Sequence, residues 1–316
     1  MIKMSIILIF LIASCGGTKY PDWFTKNIAN DNKIYGIGSG ISLNEAKKIA
    51  ANDIASQIRT VISSKTISSV KEDSRIGYEQ AFIQDISSKV SNTVLPNFII
   101  MNSDVIDDGR FIVQVYVEKY KLINEYNSEL MLLDGQINNN YNNYVDSADI
   151  LKKHRYMQQV LNLANQAKLL AFILSGLDYS VNTKSYINNI IRYEEQMEKI
   201  NKQMNFSIKG NDPLVMQVIE KSLNDAGFNV QNGNGNENTV TIVFTSSDIS
   251  RTVFDENIVK TSINLHIKNI FGDTVYNNIV EVGGASIVSV DEAKRITMSN
   301  LLQKFNTQGI LYFLGI

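Results

Sequence analysis

From Tyr120 to Met204 the apolar residues step by three and four, with no convincing strand among them. The steps run Ile123, Tyr126, Leu130, Leu133, Ile137, Tyr141 and Tyr144, then in part Leu151, His154, Gln158, Leu161, Ala164 and Ala171. They continue through Ile187, Ile190, Glu194, Met197, Ile200 and Met204, and Gly176 sits where a helix would end. That period places one stripe on the face of a helix and cannot alternate across a strand. Two or three long antiparallel helices fit, a hairpin burying its own seam being favoured over a partner-binding coiled coil. On both sides the period changes to two, interrupted by turn residues. The expected fold class is therefore α+β, with two small α+β domains separated by a long antiparallel helical hairpin or three-helix segment. The expected boundaries are 15–119, 120–204 and 205–316, behind a leader at 1–14.

In the first flank, Lys33 to Ser39 reads as a strand ending in Gly36, Gly38 and Gly40, and the Pro21-Asp22-Trp23-Phe24 run reads as an aromatic plug. Ser42-Leu43-Asn44-Glu45 has the form of a capping box, in which the Ser hydroxyl accepts an orphan helix N–H and the Glu reaches back to the cap. A helix follows, with Ala46, Ala50, Ile54, Ile58 and Ile62 on its apolar stripe and Ile49 beside them. The Ile, Val, Ser and Thr content of Val61 to Val70 predicts a turn into strand. A second helix is expected from Tyr78 to Val90, closed by Pro96. Two strands, Phe98 to Ile106 and Phe111 to Val117, are expected around Asp107-Asp108-Gly109, with Phe111, Val113, Val115 and Val117 on one face. Together these predict a β-α-β-α-β-β unit.

In the second flank a strand at Phe206 to Ile208 precedes Asn211-Asp212-Pro213, Asp as N-cap and Pro at the first helical position. That helix should end at Ala226 before Gly227. A loop from Gln231 to Asn238, strands at 240–245, 258–270 and 275–282, and a helix from Asp291 to Phe305 complete it. Ser289-Val290-Asp291-Glu292-Ala293-Lys294-Arg295-Ile296 repeats Ser42-Leu43-Asn44-Glu45-Ala46-Lys47-Lys48-Ile49 almost type for type. Either two related units bracket the helices, or capping chemistry produced the same string twice.

The first residues set location. Lys3 precedes an apolar run from Met4 to Ile12, and small residues lead into Cys15. A positive start, a short apolar core and a small-residue cleavage site form a secretory signal. The run is shorter than the roughly 20 apolar residues that cross a bilayer as a helix. Ile12-Ala13-Ser14-Cys15 has the form of a bacterial lipobox, so Cys15, the single cysteine of the chain, is expected to become the acylated first residue of the mature protein. Thirty basic against 32 acidic residues give no basic field for nucleic acid. One Cys and two His exclude a disulfide framework and a Cys-rich zinc site.

Pro21-Asp22-Trp23-Phe24, Tyr35-Gly36-Ile37-Gly38-Ser39-Gly40, and Ser42 to Ala46 with Ala50 and Ala55, behind a lipobox, resemble the LPP20 family of bacterial lipoproteins. The resemblance covers about the first third of the mature chain. It implies an outer-membrane lipoprotein without catalytic residues, held by acyl chains such as palmitate on Cys15, some members being attached to flagellar or other envelope structures. The family's helix often carries an Arg after its Ala repeat, where this chain has Asn52 and Asp53. Gly16 after the Cys, in place of Asp, is similar to lipoproteins exported to the outer membrane. The C-terminal domain resembles, at fold level, small α+β modules of periplasmic assembly proteins.

No catalytic, cofactor or metal site is expected. Gly36-Ile37-Gly38-Ser39-Gly40 has the spacing G-x-G-x-G rather than the dinucleotide fingerprint, and no acidic ribose ligand follows. His154 and His266 lack metal-pair spacing and read as surface or satisfied imidazoles. Asp107-Asp108 marks a turn, and Asp291-Glu292 a helix start. The Tyr and Asn residues between Asn138 and Tyr144 read as a solvated helix face, with glycan contact as the other possibility. The expected function is a non-catalytic envelope lipoprotein with a structural or assembly role. The alternative is a periplasmic adaptor that engages an envelope protein complex or peptidoglycan through its C-terminal domain.

Overall fold

The structure is a computed structural model that describes residues 20–24, 31–70, 84, 88–90, 97–231 and 238–316, with side chains in the first helix described as far as Ile62. The leader, Cys15, most of the expected 78–90 helix, Pro96 and positions 232–237 of the Asn/Gly loop lie outside the described residues. The chain divides into two compact units, Met1–Leu130 with Leu169–Thr183 and Met131–Lys168 with Lys184–Ile316.

In the first unit, β1 (Lys33–Gly40), β2 (Ile99–Val105) and β3 (Phe111–Glu118) form an antiparallel sheet in the order β1-β3-β2, against which α1 (Leu43–Val70) packs. The Asp-Gly turn forms as its residues require: Gly109 has φ 83, and Val105 pairs with Phe111 across the hairpin. The Ser half of the capping box is made, and the Glu half reaches one residue past the cap. Ser42 Oγ accepts the Glu45 N–H at 3.2 Å, and the Glu45 carboxylate accepts the Ile41 N–H at 2.8 Å. Gly36, Gly38 and Gly40 let α1 lie almost on the backbone of β1: a Cβ at Gly38 would overlap the Ala46 carbonyl oxygen, and one at Gly36 would stand 2.8 Å from Ile54 Cγ1. Such an approach selects small partners, and Ala46, Ala50, Ala51 and Ala55 are buried while the bulkier Ile49 is 41% exposed, outside the expected stripe. Asp53 accepts the Ile37 N–H at 3.0 Å, and Gln57 donates to the Tyr35 carbonyl at 2.8 Å. Both side chains thereby close the open edge of β1. Tyr20 stacks on Phe24 with centroids 4.5 Å apart and Trp23 meets Phe24 edge-on, so the expected plug is a ring cluster in which Trp23 and Phe24 are half-buried and Tyr20 is exposed.

One expectation fails here. Residues 61–70 continue α1 to Val70, leaving a three-stranded sheet in place of the β-α-β-α-β-β unit. β-branched residues cost a helix only tenths of a kcal/mol each, and an already nucleated helix extends without a second nucleation cost.

The helical stretch resolves into three elements, α2 (Lys119–Asp146), α3 (Ile150–Gly176) and α4 (Thr183–Gln203). Tyr126, Leu130, Leu133 and Ile137 are buried on α2 as the spacing predicts. On α3 the seam runs through Leu151, His154, Met157, Val160 and Ala164, so Gln158 is exposed and Leu161 half-buried, against expectation. On α4 Tyr193 takes the inward place and Glu194 is exposed.

The second unit contains a five-stranded sheet in the order β5-β4-β6-β7-β8, from β4 (Asn205–Gly210), β5 (Asn229–Val230), β6 (Thr239–Val253), β7 (Glu256–Lys268) and β8 (Thr274–Ser286). Strand β4 is parallel to β5 and β6, and β6 to β8 form an antiparallel meander. Helices α5 (Pro213–Asp225) and α6 (Val290–Gln308) cover one face, burying Phe206, Ile219, Leu223, Phe244, Ile263, Leu301 and Phe305, and a short α7 (Ile310–Phe313) follows. The Asp212 cap, Pro213 at the helix start and Gly227 at φ 86 stand where the sequence puts them. Strand β6 runs past its expected end at Thr245 to Val253, and β7 spans 256–268 in place of 258–270; the two meet in a two-residue turn, with Val253 paired to Glu256. Phe254 at φ 48 and Asp255 at φ 63 occupy it. A turn of this hand favours Asn-Gly, and a bulky residue there costs about 1–2 kcal/mol.

The repeated octapeptide occupies equivalent places. Ser289 Oγ caps α6 by accepting the Glu292 N–H at 3.1 Å. A Cβ at Gly284 would stand 2.8 Å from the Ala293 carbonyl oxygen and 2.6 Å from Thr297 N, as one at Gly38 would meet Ala46 and Ala50. In each case a glycine strand turns into a Ser-capped helix that lies back on it.

Candidate functional site

Within the second unit, α2, α3 and α4 enclose a cleft of about 260 Å³ lined by Asp134, Ile137, Asn138, Ala164, Ser185, Tyr186, Asn189 and Tyr193. Its geometry follows from helical spacing. Asp134 and Asn138 are four apart on α2; Ser185, Asn189 and Tyr193 step by four on α4. Tyr186 donates its hydroxyl to Asp134 at 2.9 Å, and Gln196 donates to the Tyr141 hydroxyl at 3.1 Å, about two turns further along α2 and about three along α4. These two ties make α4 parallel to α2. Burial, helped by the Asp134 carboxylate that accepts its proton, holds the Tyr186 phenol well above its usual range, so it stays a donor at any ordinary pH. Beyond the cleft, the rings of Tyr141, Tyr144 and Tyr193 cluster at 5.6 and 5.7 Å, with the Arg192 guanidinium 5.1 Å from the Tyr193 centroid. The lining has amides, hydroxyls, one already paired carboxylate and aromatic faces over an apolar floor. It suits a neutral, hydroxyl-rich ligand of about one sugar ring better than an ion. From sequence alone Asn138 to Tyr144 reads as a solvated face, because the α4 residues that complete the cleft are distant in sequence.

A second polar constellation joins α5, α6, β6 and β7. Lys294 Nζ donates to Asp212 Oδ2 at 2.9 Å and to both Asp248 oxygens at 2.7 and 2.6 Å. Thr261 donates to Asp248 Oδ1 at 2.6 Å, and Asp212 also caps α5 through the Leu214 N–H at 2.9 Å. Burial alone would lower the Lys294 pKa, but the two carboxylates outweigh it and raise it. Burial likewise raises Asp212, and the Lys294 and Leu214 donors more than offset that, leaving it lowered. An ammonium held protonated by two carboxylates has no lone pair for attack, so this group ties the helices to the sheet. Asp248 escaped the sequence reading because β6 was expected to stop at Thr245.

His154 lies buried in α3 with no hydrogen-bond partner for Nδ1 among the described residues, correcting the expectation of a surface or satisfied imidazole. Burial, with Arg155 beside it, lowers its pKa to about 4. His266 is on the surface with Nδ1 2.6 Å from Asn277 Oδ1. Asp108 takes its place in the turn, accepting from Arg110 at 2.8 Å, and Asp291 opens α6. Cys15 lies outside the described residues. Among the described residues no group of three or more His, Cys, Asp or Glu is placed to hold a metal, and no helix is long and apolar enough to cross a membrane.

Residues 21–118 match the family model of the LPP20 lipoproteins. No curated protein matches the sequence. Among solved structures the chain is similar to the secreted protein HP1454 from the human pathogen Helicobacter pylori, at 17% identity and a TM-score of 0.47, covering 87% of this chain and 98% of that one. It is also similar to a minor lipoprotein from Acinetobacter baumannii, at 11% identity and a TM-score of 0.29, covering 35% of this chain and 92% of that one.

Proposed function

We propose that this chain, whose N-terminal third matches the LPP20 lipoprotein family, is a lipid-anchored envelope protein with a structural or assembly role and no catalysis. The observation that carries the reading is a lipobox ending at Cys15 followed directly by a lipoprotein-family match that begins at Pro21. Acyl chains on Cys15 hold the body to a membrane, since several chains anchor stably where one binds only marginally. Gly16 after the Cys favours the outer membrane. The non-catalytic part is supported by the saturated Lys294 network and by a cleft whose carboxylate already serves the Tyr186 hydroxyl. Labelling with radioactive palmitate, wild type against Cys15→Ala, tests the anchor. Label and membrane association in the wild type, lost in the variant, are expected; an unlabelled, soluble wild type would remove the proposal.

The cleft favours a second reading, a binding module for a neutral glycan such as a peptidoglycan sugar. Titration calorimetry with a peptidoglycan disaccharide, wild type against Asn189→Ala, separates the two: heat of binding lost in the variant supports the module, and none in the wild type leaves the structural role.

A further inference from the structure

The far end of the five-stranded sheet breaks the usual rule for turns. A two-residue β-hairpin loop is filled at least cost by Asn and Gly, yet here Phe254 takes the first left-handed position and is 100% exposed. The conformation is strained and the apolar ring gains no burial for it. Persistent strain of this kind clusters at functional positions. A second apolar element stands beside it. Asn257 pairs with Ser286 and donates to its carbonyl at 3.3 Å, which brings the β8–α6 loop next to the hairpin tip. That loop continues with Ile287 and Val288, 80% and 77% exposed. Val253, also exposed, precedes the turn, so four apolar side chains are grouped on one projection.

We propose that this tip inserts into a lipid surface. The patch is four side chains at and beside a two-residue hairpin turn, on the order of 400 Å². A stable protein interface takes about 800 Å² from each partner, with shape complementarity. A bilayer receives a projecting apolar group without a matching surface. Charge refines the choice of lipid. Asp255 lies in the turn and Glu256 follows it, while Arg251 is the cation of the same ribbon end. The acidic excess opposes an anionic surface, so the favoured surface is zwitterionic. The inference rests on the lipoprotein reading for bringing the chain to a membrane. It adds a second, reversible contact, weaker than the anchor.

The test uses the full acylated chain in phosphatidylcholine vesicles. Cys15 is the single cysteine and is consumed by acylation, so Val288→Cys supplies one thiol for a nitroxide. Accessibility to oxygen against a water-soluble nickel complex then reports where the label lies. The label is expected in the acyl region. Phe254→Asn should move it toward water, the inserted fraction falling about tenfold or more, and so should adding phosphatidylglycerol. Asn adopts the left-handed region more readily than Phe, so this variant should melt no lower than wild type, which excludes misfolding as the cause. A label in water on every vesicle overturns the proposal and leaves a protein pocket as the occupant. An unchanged label in Phe254→Asn, or deeper insertion with anionic lipid, also overturns it. Failure of the anchor is separate: Cys15 would then take a second nitroxide and the protein would stay off the vesicles.

Discussion

His154 shows how one helical position can govern a pH response. It follows Leu151 by three residues and precedes Met157 by three, so the turn of α3 carries it inward with them. Its stripe membership was legible in the spacing; its burial without a partner for Nδ1 was not, because spacing does not report which polar groups face it. Burial lowers the imidazole pKa to about 4 in the fold, against an ordinary value of 6.5. The unfolded chain therefore binds a proton that the folded chain refuses between those values. The stability is fully present above pH 6.5 and is lost as pH falls through 4, about 3 kcal/mol over the whole window. Urea unfolding at pH 7 and pH 4.5 should show the wild type losing about 2 kcal/mol more than His154→Leu. Equal losses in the two proteins would mean that the folded imidazole takes up its proton as readily as the unfolded one.

Elements were legible where local chemistry and tertiary packing agree. The Asp-Gly hairpin, both Ser caps and the Asp212-Pro213 helix start formed as their residues require, because each completes its hydrogen bonds within a few positions. The strand expected at 61–70 fails because β propensity is a surface-packing preference, and here no partner strand draws the segment out of α1. The limits of β6 and β7 fail for the opposite reason. Beyond Thr245 the ribbon is held by cross-strand pairing as far as Val253 with Glu256, and its exposed side chains show no alternation to read. Glycine placement gives the sharpest prediction at this scale. Gly38→Ala would press a methyl into the Ala46 carbonyl and the Ala50 backbone, neither of which is a flexible side-chain end, and should cost about 3 kcal/mol or more. Gly135→Ala, on an exposed turn of α2 with nothing within 4 Å of its new methyl, should gain about 0.5–1 kcal/mol. Thermal melts of the two variants should shift in opposite directions. A neutral Gly38→Ala would show that α1 stands further from β1 than the glycines imply.

For the whole molecule, the proposed anchor and the charge balance together decide how the protein leaves a membrane. Removal of the proposed leader would take Lys3 with it, leaving 29 basic against 32 acidic residues, a net charge of −3. A polybasic segment contributes about 1 kcal/mol per Lys or Arg near an anionic surface, and salt screens it: the Debye length falls to about 3 Å at 1 M. This chain has no such excess, so its membrane association should not respond to salt. Acyl chains on Cys15, as proposed, would contribute about 0.8 kcal/mol per buried methylene, a term that salt does not weaken. Washing membranes with 1 M sodium chloride should leave the wild type in the pellet, and only detergent should release it. Cys15→Ala, held at most by four apolar side chains at the hairpin tip, should leave the pellet on dilution at either salt concentration. Release of the wild type by salt alone would transfer the attachment from lipid to charge, and the net charge of −3 then requires that the opposite partner be a cationic protein rather than the bilayer.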